Sequence, residues 1–210
     1  MVKKGFFITF EGSDGCGKTT QSILLIKKLK NLGYDVVHTR EPGGTIVAET
    51  LRKILLNSKN KISPIAELLL YEAGRAQHTE EIIVPAIKLN KIVICERYTD
   101  ATIAYQGFGR HLDVEMIMSL NKIATNNLEP NITIYLDLNT KKSFARIKLR
   151  KKDRLENESL LFHKRVRDGY AWLVKKFQKR FIKIDANASI EKISECVFDA
   201  VKTQIEARIT

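Results

Sequence analysis

Five short apolar runs recur along the chain: Phe6–Phe10, Asp35–Thr39, Lys91–Cys95, Ile132–Asp137 and Phe181–Asp185. Each is brief and rich in Ile, Val, Phe or Tyr, as central strands of a parallel sheet covered on both faces should be. Between them the apolar residues return at helical spacing, as in Ile23, Ile26 and Leu29 with Leu24, Leu25 and Leu32. That spacing predicts helices over Thr19–Leu32, Thr45–Leu56, Ile65–Leu89, Val114–Asn126, Lys141–Leu149, Glu158–Lys179 and Ile190–Ala207. Alternating strands and helices imply an α/β fold, a five-stranded parallel sheet doubly wound by right-handed crossovers. With only four prolines and no Ser/Gly-rich linker, residues 1–210 are expected to form one domain. Lys148 to Arg154 is densely basic without a strong apolar pattern and reads as a loop between two helices.

The first strand runs directly into Gly12-Ser13-Asp14-Gly15-Cys16-Gly17-Lys18-Thr19, with Thr20 opening the helix beyond. This fits G-x-x-x-x-G-K-[ST] at every fixed position and in the strand–loop–helix setting that the motif requires. The glycines let successive backbone N–H groups turn toward one phosphate chain, and the helix N-terminus adds partial positive charge. Lys18 can reach the outer phosphates, and the Thr19 hydroxyl is placed to hold Mg²⁺. A plain structural bend is the rival reading, and the fixed Gly-Lys-Thr with the right flanks favours a nucleoside triphosphate site. Cys16 reads as a small side chain that packs.

Composition adds exclusions. No apolar run approaches the ~18–20 residues needed to cross a bilayer. No cleaved signal peptide is expected, because the first strand and phosphate loop begin almost at Met1. Cys16, Cys95 and Cys196 lie far apart, which supports neither a zinc site nor a disulfide framework and fits a reducing cytosol. The net charge of +12 suggests nucleic acid until its distribution is read. Residues Lys141 to Lys183 hold 16 Lys+Arg against 4 Asp+Glu, and the remainder holds 20 of each sign. The whole excess sits in one segment, as a phosphate-gripping lid at about 146–158 would place it.

Ligands in such sheets bind beyond the carboxyl ends of the strands. Those tips read Glu11-Gly12-Ser13-Asp14, Arg40-Glu41-Pro42-Gly43-Gly44-Thr45, Glu96-Arg97-Tyr98 and Leu138-Asn139. Arg97 could bridge donor and acceptor phosphates, since phosphoryl transfer depends on positioning and charge neutralisation; a structural salt bridge is the alternative. Asp14 and Glu96 are candidate carboxylates for Mg²⁺ or its water shell beside Thr19. Tyr71 and Arg75 lie at i and i+4 and project from one helix face, although Tyr71 could equally pack among Leu68, Leu69 and Leu70.

At these residues the chain resembles the bacterial thymidylate kinase (dTMP kinase) family nearly end to end. The likeness is carried by Phe10-Glu11-Gly12 with the phosphate loop, Thr39-Arg40-Glu41-Pro42-Gly43-Gly44-Thr45, Arg75-Ala76-Gln77-His78, Glu96-Arg97-Tyr98, Ala104-Tyr105-Gln106-Gly107, Asp153-Arg154-Leu155-Glu156 and Ile184-Asp185-Ala186. The resemblance implies a P-loop nucleoside-monophosphate-kinase-like fold with a short basic lid, and the reaction ATP + dTMP → ADP + dTDP with Mg²⁺ in a cytoplasmic homodimer. It further implies that Tyr71 stacks on thymine, Arg75 donates to a base carbonyl, Thr102 reads the base, and Tyr105 packs under the deoxyribose beside Gln106. Glu41, Pro42 and Arg52 would sit around the monophosphate, with a cis Glu41–Pro42 bond. Asp14, Lys18 and Arg97 would serve the transfer. Four positions depart from the family: Glu96 replaces the usual Asp, Tyr71 the commoner Phe and Gly74 a bulkier residue, and Ala101 stands where a hydroxyl residue is usual. The loop's variable positions carry no basic residue, so by resemblance the lid supplies a transfer-stage cation. Arg150 is the first choice, with Arg146 and Arg154 next. The helix Val114–Asn126 offers Val114, Ile117, Met118 and Ile123 to a dimer interface or to the core.

Three other readings stay open. A kinase of the same architecture could act on a different nucleotide. A GTP-binding switch needs an N-K-x-D string, and Asn121-Lys122-Ile123-Ala124 lacks the Asp. A nucleic-acid-dependent ATPase would use the basic segment and show steep salt dependence.

Overall fold

The computed structural model describes residues 5–147 and 152–207. All five expected strands are present: β1 (Phe6–Glu11), β2 (Val36–Arg40), β3 (Ile92–Glu96), β4 (Ile132–Asp137) and β5 (Phe181–Asp185). They form one parallel sheet in the order β2-β3-β1-β4-β5. The chain order reverses at β1, so the crevice outside the carboxyl ends opens beside it.

The pleat of β1 explains both layers. Phe6, Ile8 and Phe10 face one core with Leu25, Leu29, Val197 and Val201, from α1 (Lys18–Asn31) and α9 (Ile190–Glu206). Phe7 faces the other side, against Val93, Cys95 and Tyr98. The rest of that side is filled by Tyr135, Phe162, Val166, Tyr170 and Leu173, mostly from α8 (Leu160–Lys176). A polar seam runs through this second layer: Thr9 Oγ1 lies 2.9 Å from Thr133 Oγ1, and Arg180 donates to both oxygens of the fully buried Asp100 at 2.6 and 2.7 Å.

The helices depart from expectation at two places. The run expected over Ile65–Leu89 is α3 (Pro64–His78), a wide π-helical turn at Thr79–Ile83, and α4 (Val84–Lys88). Pro85 lacks an N–H and its ring opposes a tight helix, and the wider turn immediately before it relieves both. The second departure is a helix after β3 that the spacing did not predict: α5 (Thr99–Thr102) continues as a π-helical stretch over Ile103–Gly109. The remaining helices, α2 (Ile46–Leu56), α6 (Val114–Thr125) and α7 (Thr140–Ile147), agree with expectation to within about two residues. Within α6, Ile117 is fully buried and Val114 and Met118 pack on the core, so only Ile123 of the expected set turns outward.

Candidate functional site

The turn from β1 into α1 needs glycine at two points. Gly12 has φ 137°, and a Cβ there would lie 2.6 Å from the Leu136 carbonyl oxygen. Gly17 has φ 99° and caps α1 in a left-handed conformation that L side chains adopt only at a cost. Lys18 Nζ donates to the Gly12 and Ser13 carbonyls, each at 3.0 Å, and so is held over the loop. Ser13 and Cys16 are buried behind it.

A cleft of about 490 Å³ opens beside this loop. It gathers the candidates from distant parts of the chain: Asp14, Gly15, Gly17, Lys18, Thr19 and Thr20 from the loop and α1; Glu41, Pro42 and Arg52; Tyr71 and Arg75 from α3; Glu96 and Arg97; and Ala101, Thr102, Tyr105 and Gln106 from α5 and its continuation. The peptide bond between Glu41 and Pro42 is cis. Arg52 donates to the Pro42 carbonyl at 2.7 Å, which makes it part of the cleft wall and not a solvated surface arginine.

Arg97 stands where the phosphate loop and the second part of the cleft meet. Its NH1 donates to the Gly12 carbonyl at 3.1 Å and to the Tyr170 hydroxyl at 3.2 Å. Its NH2 donates to Asp14 Oδ1 at 2.7 Å and to the Tyr105 hydroxyl at 3.0 Å. Tyr105 donates in turn to Asp14 Oδ2 at 2.7 Å. Burial opposes ionisation of Asp14, but the Arg97 and Lys18 charges outweigh it and hold its carboxyl far below the usual range.

Thr19 and Glu96 form the expected oxygen pair. The Thr19 hydroxyl donates to Glu96 Oε2 at 2.6 Å, while Ser22 Oγ donates to Glu96 Oε1 at 3.0 Å and His38 Nε2 lies 3.1 Å from the same oxygen. Burial raises the Glu96 pKa, and the contacts from His38, Thr19 and Ser22 more than reverse this, keeping the group ionised. Two hard oxygens, one anionic, suit Mg²⁺, which binds few protein ligands and keeps its waters.

Arg75 is 1% exposed, and its guanidinium is nearly saturated. It donates to Glu41 at 2.8 Å, Glu72 at 2.6 Å, Asn121 at 2.8 Å and the Tyr98 carbonyl at 3.1 Å. Of five N–H donors, these four contacts leave one for a ligand. Arg75→Ala therefore has two expected consequences. Stability falls by roughly 3–5 kcal/mol, because Glu41 and Glu72 lose their buried counter-charge. A ligand in the cleft that takes the remaining N–H would bind about ten- to a hundredfold more weakly, through loss of one charge-assisted bond. Urea titration and ligand calorimetry read the two separately; unchanged binding would make Arg75 purely structural.

Among the described residues, part of the basic segment is taken up within the fold. Arg154, expected on the donor nucleotide, donates from NH1 to Glu67 at 2.5 Å and from Nε to the Leu55 carbonyl at 2.7 Å, while its buried NH2 has no partner among the described residues. Arg167 and Lys183 hold Asp137, and Arg180 holds Asp100. Arg146 does reach the phosphate loop, donating to the Gly15 carbonyl at 3.0 Å. Arg150, with Lys148 and Lys151, lies outside the described residues.

Several site-forming residues were not singled out from the sequence as site residues, although Glu11, Asp153, Leu155 and Glu156 lie in strings that carry the family resemblance. Asp153, Leu155 and Glu156 line the cleft beside Leu56. Glu67 is wholly buried and gathers Gln106, Arg110 and Arg154 on one carboxylate. Glu11 is also fully buried, accepting from the Tyr98 N–H and the Tyr170 hydroxyl, each at 2.7 Å. A charged residue closing an apolar strand was the available sign for Glu11.

Burial, and then the Asp100 charge, push the Glu11 pKa from 4.5 to about 7 against the pull of Arg97, Tyr170 and Tyr98. Between those two values the unfolded chain has released the proton and the folded one retains it, so stability falls as pH rises. Glu11→Gln cannot titrate. Its stability relative to the parent is expected to improve by roughly 2–3 kcal/mol between pH 4.5 and pH 8. Urea denaturation at the two pH values checks this, and a pH-independent difference would contradict it.

A loop shaped for a triphosphate at one end of a nucleotide-sized cleft, with an arginine fork between the loop and the rest of the cleft, defines a P-loop nucleotide kinase. Comparison with known proteins narrows that class. The family model described as thymidylate kinase matches residues 10–197. A thymidylate kinase of Geobacter sp. (strain M21) is 47% identical over 211 residues, covering 97% of this chain and 94% of its own. One from Thermoanaerobacter sp. (strain X514) is 48% identical over 199 residues, covering 95% and 98%. The crystal structure of thymidylate kinase from Ehrlichia chaffeensis superposes with a TM-score of 0.79 at 36% identity, covering 94% of this chain and 99% of that one. The chain belongs to the thymidylate kinase family, enzymes that phosphorylate dTMP to dTDP with ATP.

Proposed function

We propose that this protein transfers the γ-phosphoryl group of ATP to dTMP through the residues gathered around Arg97. The observation that carries this reading is the Arg97 fork, which joins the phosphate-loop residues Gly12 and Asp14 to Tyr105 on the acceptor side. ATP would lie along the loop from Gly12 to Thr20, with Lys18 on its outer phosphates and Arg146 at the rim. dTMP would fill the cleft between Tyr71, Arg75, Thr102, Tyr105 and Gln106, its phosphate toward Arg52, Pro42 and Arg97. Thr19 and Glu96 would hold Mg²⁺, which when bound neutralises phosphate charge. Lys18 and Arg97 supply fixed positive charge where the transferring group develops its own, and Asp14 keeps Arg97 in place through its ionised carboxylate. Arg150 is assigned as a further cation, from a basic lid over about residues 146–158 of a single domain.

A coupled ADP-release assay with dTMP, dUMP, AMP and CMP as acceptors tests the assignment. Preferred turnover of dTMP supports it, and preference for another monophosphate would replace it. The nucleic-acid reading finds little support, since Arg154, Arg167 and Arg180 are held by carboxylates of the same chain. A cytoplasmic location belongs to the same proposal, in keeping with the absence among the described residues of any helix long and apolar enough to cross a membrane. So does a homodimer, supported by Ile46, Val47, Ile54, Ile65 and Leu69, which α2 and α3 leave exposed. Light scattering at micromolar concentration should give twice the chain mass; a monomer's mass would contradict it.

A further inference from the structure

We propose that Glu11 and Tyr170 are positioning residues for Arg97, fixing its guanidinium from behind the cleft. The inference rests on the transfer role of Arg97 given above and extends it to two residues that do not line the cleft.

Arg97 occupies an unusual backbone conformation, with φ 68°, in the left-handed region that a bulky side chain enters only at a cost. Two hydrogen bonds hold it there. The Arg97 N–H donates to the Phe10 carbonyl at 2.9 Å, and the next N–H, of Tyr98, donates to Glu11 Oε1 at 2.7 Å. Glu11 thus anchors the turn that aims Arg97.

Its other oxygen governs the side chain. Tyr170 donates its hydroxyl proton to Glu11 Oε2 at 2.7 Å, leaving its oxygen free to accept from Arg97 NH1 at 3.2 Å. The polarity runs one way, from guanidinium to phenol to carboxylate, and each bond in such a chain strengthens the next. The phenol cannot drift, because Tyr170 is fully buried and its ring stacks on Tyr135 at 5.1 Å and 22°. Tyr170 lies on α8, within the basic segment, so the alignment of Arg97 depends on how α8 is seated. Burying a carboxylate here works against stability, as its raised proton affinity indicates. A merely structural joint between β1 and β3 would be served equally well by a neutral amide.

Glu11→Gln separates the two roles. The amide oxygen can still accept from the Tyr98 N–H. The amide nitrogen can only donate to Tyr170, which takes away the phenol's acceptor and makes the amide compete with Arg97 for the same oxygen. Tyr170→Phe removes that oxygen alone and keeps the ring packing.

The experiment measures kcat, both KM values and thermal stability in the coupled ADP-release assay with ATP and dTMP. Glu11→Gln and Tyr170→Phe should each lower kcat about tenfold, the size of one hydrogen bond to a charged group, with both KM values little changed. In an Arg97→Ala background neither should lower kcat further. A variant that keeps kcat, whatever its stability, would show that Arg97 is positioned without it and overturn the proposal. An equal loss of kcat with Arg97 already removed would also overturn it, because the effect would not pass through Arg97. If Arg97→Ala itself keeps kcat, the reading of Arg97 fails first, a result distinct from both. Should Glu11→Gln fail to fold, Tyr170→Phe carries the same comparison.

Discussion

Lys18→Met is expected to reduce turnover about a thousandfold while leaving the fold in place, the upper end of what one transition-state donor supplies. The ammonium sits 3.0 Å from two loop carbonyls and contributes to the low pKa of Asp14, so its charge is already concentrated at the phosphate cradle. A point charge there gains strength as negative charge moves onto the bridging and leaving oxygens. Methionine keeps the length and apolar stem at the first residue of α1, and the Gly12 and Ser13 carbonyls keep Arg97 NH1 and the Cys16 N–H as donors, so neither is stranded. Circular dichroism and melting should match the parent while single-turnover transfer collapses. A folded variant with near-parental turnover would remove the phosphate-loop assignment.

The central strands β1, β3 and β4 were legible because both their faces are covered, which leaves nearly unbroken apolar runs, while the edge strands β2 and β5 are partly exposed. Their ends were read one residue short at Glu11, Arg40 and Glu96, and the reason is chemical. Backbone pairing continues through these positions, as in Phe10 with Glu96 and Arg40 with Glu96, whatever the side chain. Hydrophobicity stops where the strand tips turn polar to serve the site, so the pattern ends one step before the structure does.

The stretch Thr99–Gly109 was illegible for a different reason. Gly107 and Gly109 lower helix propensity, and a reading of local preference finds no helix there. Packing supplies what propensity lacks: a Cβ at Gly109 would lie 2.7 Å from Phe162, so its glycine is what lets α8 approach. The wider π-helical path then places Tyr105 and Gln106 in the cleft with Ala101 and Thr102. Part of the basic segment has partners that the sequence did not show. Glu67, Asp100 and Asp137 come from outside it, and only the folded chain pairs them with Arg154, Arg180 and Arg167. Arg75 was identified as a cleft residue, but the four contacts that occupy its guanidinium could not be read from spacing.

Arg97→Ala is expected to lower kcat by about a hundred- to a thousandfold, with a smaller effect on dTMP binding, as loss of a donor aimed at developing charge should. The fork meets Gly12, Asp14, Tyr105 and Tyr170 at once, so the cation is fixed before any nucleotide arrives and little reorganisation remains for the transfer step. Arg97→Lys should rescue little of the rate. A single ammonium can replace the charge but cannot hold Asp14 and Tyr105 with one nitrogen while presenting another to Gly12 and Tyr170. The competing account is a salt bridge to Asp14 that serves only the fold. Under it, both variants would melt at lower temperature and turn over normally once folded, and the lysine variant would regain much of the lost stability. Single-turnover transfer rates, dTMP calorimetry and melting curves on the two variants decide the matter: a kcat preserved in either would exclude Arg97 from the transfer step.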